Sequence, residues 1–138
     1  MSTSLRLAII VNPELSLGLI ANTASALSIG LAAKFPQLAG SQLCDSMGRI
    51  IDVSSKLPVP ILQSSAEQIR EILLKALALE ADRAIVPFPA FARSMHSFDE
   101  YEQAFPRRDL VTEVLDGLAL CGADKWVKSL TGALKLLR

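Results

Sequence analysis

Histidine occurs once, cysteine twice, and tryptophan and tyrosine once each in 138 residues. A single histidine, His96, cannot supply a two-histidine metal site, and any Ser-His-Asp or Cys-His relay would have to run through it alone. It lies in a Phe/Met-rich stretch, Phe91-Ala92-Arg93-Ser94-Met95-His96, that reads as packing rather than chemistry. Cys44 and Cys121 are far apart, with no CxxC pair and no Cys/His cluster, so neither a structural zinc site nor a disulfide framework is expected. Two ordinary thiols suit a cytosolic protein. Gly18 belongs to neither a GxGxxG pattern nor a P-loop, so no dinucleotide or Walker-type phosphate site is indicated and no cofactor is expected. An excess of one charge is also missing. Fourteen basic residues balance fourteen acidic ones, which argues against nonspecific nucleic-acid binding.

What the chain has is apolar mass: 51% of its residues are apolar, and the mean hydropathy is +0.38. That excludes intrinsic disorder, and the length fits one domain over residues 1–138. So apolar a small domain points to a dimer or larger homo-oligomer. Leu15 to Ala33 holds no charged residue and is long enough to be a membrane-span candidate. Ser16, Asn22, Thr23, Ser25 and Ser28 leave it too polar for a lipid-facing helix, so it reads as a helix buried inside a protein. The run after Arg6 is too short for a signal peptide and is interrupted by Asn12-Pro13-Glu14. The expectation is a soluble, cytoplasmic protein without a membrane partner.

Leu5 to Val11 reads as a central strand and Leu17 or Gly18 to Phe35 as the buried helix. Ala21, Ser25, Ser28 and Ala32 form a small-residue stripe expected to pack against the sheet or a neighbouring helix. Residues 42–63 read as edge β structure with a turn at Asp45-Ser46-Met47-Gly48. Pro58 and Pro60 confine their strand to an edge or place them in its first residues. A capping box, Ser64 with Glu67 or Ser65 with Gln68, opens a helix whose apolar face is Ile69, Ile72, Leu73, Ala76 and Leu77. Further strands are expected at 83–88, at 114–121 closed by Gly122, and at 133–137, with short helices at 97–105 and 124–130. Alternating strands and helices argue for a layered α/β sheet.

In such sheets ligands gather outside the carboxyl ends of the strands, beside helix N-termini. That logic selects the turn after the first strand, with Asn12 and Glu14, and Asn22 farther along the helix. The second candidate is the C-terminal segment, where Lys125, Lys128, Lys135 and Arg138 face only Asp124, while residues 97–120 are acidic. This asymmetry suits an anionic-ligand site, two solvated faces, or complementary oligomer surfaces. The expected pocket residues are Asn12, Glu14, Asn22, Lys128 and Thr131: amides and hydroxyl as hydrogen-bonding groups, Lys128 as an anion contact.

Four stretches resemble an uncharacterised bacterial family, the domain of unknown function numbered two thousand. They are Val-Asn-x-Glu-Leu-x-x-Gly-Leu-x-x-Asn at 11–22, Asp-x-x-Gly-Arg at 45–49, Leu-Pro-Val-Pro-Ile-Leu at 57–62 and Leu-Thr-Gly-x-Leu-x-Leu-Leu-Arg at 130–138. That family is similar in turn to type II peptidyl-tRNA hydrolases, and the likeness implies a three-layer α/β/α fold with a mixed sheet of about four to five strands. Lys128, Thr131, Gly132, Leu134, Lys135 and Leu136 match the hydrolases' closing Lys-Val-Thr-Gly-x-Leu-Lys-Leu pattern. Their lysine-bearing turn is not matched, since Ser16, Leu19 and Ala21 stand in its place, and their Cys-Ser-His-Ala and Asp-Ala-Gly-x-Thr-Gln signatures are absent. Without those cations the chain lacks groups that would hold a polyanion and stabilise charge at an ester carbonyl. The resemblance therefore implies the fold, keeps tRNA open as a ligand, and leaves hydrolysis of an ester or amide as an alternative to binding a small ligand or partner; a homo-oligomeric interaction module is the third reading.

Overall fold

The computed structural model describes residues 4–80 and 82–138. A five-stranded mixed sheet forms the middle layer, in the order β5-β6-β1-β4-β7. These strands are β1 (Leu5–Val11), β4 (Ile61–Gln63), β5 (Ala84–Pro89), β6 (Leu115–Ala123) and β7 (Lys135–Leu136). β1 and β4 run parallel, while β6 is antiparallel to both β1 and β5, and β7 is antiparallel to β4. A separate hairpin, β2 (Gln42–Cys44) and β3 (Ile50–Asp52), stands off the sheet with all its residues exposed.

β1 and β6 are central because they are apolar on both faces. Ala8, Ile10, Leu118 and Leu120 face a core completed by Leu62, by Ile69, Ile72, Leu73 and Ala76 of α2 (Ala66–Leu77), and by Val127 of α4 (Asp124–Thr131). Leu7, Ile9, Val11, Ala119 and Cys121 face the opposite core with Leu27 and Leu31 of α1 (Leu17–Lys34) and Phe35 beyond it. The architecture is three-layered: α1, the sheet, then α2 with α4.

Several elements differ from the sequence expectations. β6 runs past Gly122 to Ala123, because a Cβ at Gly122 would lie 2.9 Å from the Trp126 ring and its absence lets α4 fold back against the strand. β4 is interior, with Pro58 and Pro60 lying before its first residue. α1 is a surface helix with only Thr23, Leu27 and Leu31 buried. Its small-residue stripe does not make the contact with the sheet: Ala21 and Ser25 are exposed. The close approach comes from two glycines instead. A Cβ on Gly117 of β6 would meet Thr23 Cγ2 at 2.7 Å, and one on Gly30 of α1 would meet Val86 Cγ1 at 3.0 Å.

Beyond β5 lies α3 (Phe98–Ala104), capped by Ser97, whose Oγ accepts from Glu100 N–H while the Glu100 carboxylate accepts from His96 N–H. Phe91, Tyr101 and Phe105 stack there with ring centroids 5.6–6.4 Å apart, and the Arg108 guanidinium covers Phe91 at 4.1 Å. Pro87 and Pro89 lie on this outer strand, where missing N–H groups oppose pairing with a further strand.

Candidate functional site

The carboxyl ends of β1 and β4 hold the polar geometry that the strand topology calls for. Val11 C=O accepts from Ser64 N–H at 3.1 Å on one side, and Asn12 N–H donates to Asp116 C=O at 3.0 Å on the other. Asn12 Oδ1 accepts from Glu14 N–H at 3.0 Å, an Asx turn that swings the chain into α1, and Ser16 caps that helix. Glu14 itself is exposed. Asn22 is exposed on α1 beyond this turn.

Across the strand ends, α2 begins. Ser65 Oγ accepts from Gln68 N–H at 3.2 Å, and the buried Ser64 hydroxyl donates to Gln68 Oε1 at 2.6 Å. The remaining amides of a first helical turn have no acceptor within the helix and carry partial positive charge. A cleft of about 320 Å³ opens here. It is lined by Pro13, by Gln63, Ser64, Ser65 and Gln68, and by Ala133, Leu134 and Lys135. Among the described residues, Lys135 is the only charged one lining it. The first turn and the C-terminal motif, remote in sequence, thus meet at the amino end of α2.

The other expected residues lie elsewhere in the fold. Lys128 pairs with Asp124 at 3.1 Å, and Asp124 also receives Arg6. These bonds, that of Arg6 above all and then that of Lys128, hold the Asp124 carboxyl below the ordinary carboxylate range. Thr131 is buried with its hydroxyl donating to Val127 C=O at 2.8 Å, inside its own helix. None of Asn12, Glu14, Asn22, Lys128 and Thr131 lines the cleft; Pro13, between the first two, and Ala133, Leu134 and Lys135, after Thr131, do.

Two features escaped the sequence. Asp116, 1% exposed, accepts from Arg93 Nε and Nη2 at 2.6 Å each, tying the turn after β5 to the start of β6 beside Asn12. Leu115 and Leu118 both enter the α2-side core, because the β5–β6 register shifts at Phe88/Pro89. That bulge was invisible in the alternation. The second feature is an apolar groove of about 620 Å³ between α1, β5 and α3, walled by Ile29, Val86, Phe88, Met95 and Phe98. His96 and Ser97 open onto it, but no carboxylate or cysteine lines it, and the Ser97 hydroxyl is engaged as a helix cap. Among the described residues no three of His, Cys, Asp and Glu gather to hold a metal.

Residues 5–138 match the model of a family described as a protein of unknown function, DUF2000, and the chain belongs to that family. The fold is similar to that of a solved protein of unknown function, Atu0240 from Agrobacterium tumefaciens strain C58. The TM-score is 0.86 at 22% identity, over 96% of each chain. No curated protein matches the sequence.

Proposed function

We propose that this protein binds a small anionic ligand, through a carboxylate or phosphate group, in the cleft at the amino end of α2. The observation that supports this reading is the convergence of the first strand-helix turn and the C-terminal motif on one cleft whose only charged wall residue, among the described residues, is a lysine. Helix N-terminal amides attract negative charge, and the Ser65 hydroxyl and the Gln68 side-chain amide add donors for oxygen ligands, while the Ser64 hydroxyl is engaged by Gln68 Oε1. Lys135 takes the anion-contact role that the sequence suggested for Lys128, whose ammonium is engaged by Asp124. Asn12 and Glu14 set the turn that places Pro13 in the wall. Calorimetric titration with a small phosphomonoester tests the reading. Binding is expected in the native protein and in Lys128→Ala, and is expected to be lost in Lys135→Ala; equal binding by all three would overturn it.

A second reading is hydrolysis of an ester or amide such as peptidyl-tRNA, on a fold like that of the type II hydrolases. It is supported by a mixed sheet between helical layers and by the Thr131-Gly132-Ala133-Leu134-Lys135 ending, whose last three residues line the cleft. Against it stand Ser16, Leu19 and Ala21 where those enzymes carry their lysine-bearing turn. Incubation with N-blocked aminoacyl-tRNA decides: turnover lost in Lys135→Ala would favour this reading, and a rate equal to buffer would end it.

A further inference from the structure

We propose that the groove between α1, β5 and α3 binds a small primary amine with an aromatic body: the body lies on the apolar walls, and the ammonium sits against the α3 aromatic rings beside Glu102. Phe98, Tyr101, Glu102 and Phe105 recur at spacings of three, one and three residues, so α3 and its C-cap turn all four to one side. The Tyr101 ring lies between the other two, with centroids 6.3 Å from Phe98 and 5.6 Å from Phe105.

Two hollows meet at this face. The groove of about 620 Å³ and an adjoining one of about 370 Å³ share Val86, Pro87, Phe98 and Tyr101. Small-ligand sites occupy about 300–1,000 Å³ and combine apolar and aromatic walls with a few polar groups. Phe98 stands at the boundary between the hollows, 68% exposed, where a flat ligand covers its ring.

Charge selects a cation. Glu102 is the one charged residue on the smaller hollow, and no lysine or arginine lines either hollow, among the described residues. Asp99, Glu100 and Glu102 make no ion pair among those residues. Glu100 serves His96 N–H, and Arg108 is taken up by Glu113 and the Phe91 ring, which leaves Glu102 for a ligand. The faces of Phe and Tyr rings attract an ammonium. Burial raises the Tyr101 pKa, which keeps its phenol neutral and its oxygen an acceptor.

Other occupants fit less well. A second copy related by two-fold symmetry sets this acidic face against itself. Pro87 and Pro89 oppose an extended peptide added to β5. An anion meets Glu102 without a cation to offset it.

Calorimetric titration of the full chain at pH 8 with phenylpropylamine, phenylpropanol and phenylpropionate, alike in carbon skeleton and different in charge, tests this. The amine is expected to bind saturably, about tenfold tighter than the alcohol, with the carboxylate weakest. Phe98→Ala, at an exposed position, is expected to weaken amine and alcohol alike. Glu102→Gln is expected to weaken the amine about threefold and to leave the alcohol unchanged. Both variants are expected to keep the native circular dichroism. Alcohol or carboxylate bound as tightly as the amine, amine binding that either variant leaves intact, or no saturable binding at millimolar amine would each overturn the proposal. So would a dimer in sedimentation equilibrium that Phe98→Arg dissolves, since a second copy then fills the groove. The α2 cleft shares no lining residue with this groove, so phosphomonoester binding by Glu102→Gln keeps the two results separate.

Discussion

The Asp116 carboxylate, almost fully removed from solvent at the start of β6, is met by two nitrogens of Arg93, whose own side chain stays 40% exposed. The hydrogen bond to Asp116 raises the Arg93 pKa further above its already high value, so the guanidinium stays charged. A buried carboxylate at the start of a central strand depends on that partner.

Removing Arg93 therefore strands a buried charge, and Arg93→Ala is expected to destabilise the protein by about 3 kcal/mol. Asp116→Asn, which leaves no charge behind in the sheet, is expected to cost less. Urea unfolding of the two variants measures the difference, and equal costs would mean that the pair does not anchor the segment after β5.

Gly117→Ala tests the seating of α1. The added methyl would meet Thr23 Cγ2 at 2.7 Å and Ile10 C=O at 2.9 Å, so the helix must lift from β6. Overpacking of this kind costs about 1–3 kcal/mol. Thermal unfolding of Gly117→Ala beside Gly18→Ala, where nothing lies within 4 Å of the new Cβ, separates a steric cost from a loss of chain flexibility.

The two thiols should react very differently. Burial, with a smaller contribution from the Asp82 charge, pushes the Cys121 thiol up to about 11, while Cys44 is exposed on β2. At pH 8 a disulfide reagent is expected to titrate one thiol in the native protein and two in denaturant. Cys44→Ser should abolish the native reaction; a remaining fast thiol would show that β6 opens readily.

Acid should erode the Arg6–Asp124–Lys128 group. Because the folded Asp124 pKa lies below its ordinary value of 3.8, its stabilisation is full above that pH and is lost as pH falls through the folded value. The melting temperature of Asp124→Asn is expected to sit slightly below the native one at pH 7 and to converge with it at lower pH. A gap that widens on acidification would reverse the assigned sign.

Much of the fold was legible in the sequence because each signal was local. β1 is a two-faced apolar run, Ser65 and Ser97 cap helices where the spacing placed them, and Gly48 with φ +82° sits in the expected turn. What stayed hidden depended on the partner of each segment. Gly30 and Gly117 fix the height of α1 over the sheet only once β5 and β6 lie beneath it. The uncharged α1 reads as a buried helix, and nothing along the chain shows that one side of it faces outward. Of the candidate cleft only the neighbourhood was legible: Pro13 lies beside Asn12 and Glu14, and Ala133 follows Thr131 closely, but none of the five expected residues lines it. That the two stretches meet through Pro13 and Lys135 follows from β7 pairing with β4, a contact between residues remote in sequence.

Amide chemical shifts of the ¹⁵N-labelled protein during titration with inorganic phosphate, repeated at two salt concentrations, test the ligand site most directly. Saturable shifts confined to Ser64–Gln68 and Ala133–Lys135, absent in Lys135→Ala, are the expected result. Shifts scattered over Lys125, Arg107 and the other exposed cations, or none at millimolar phosphate, would contradict an anion site at the amino end of α2.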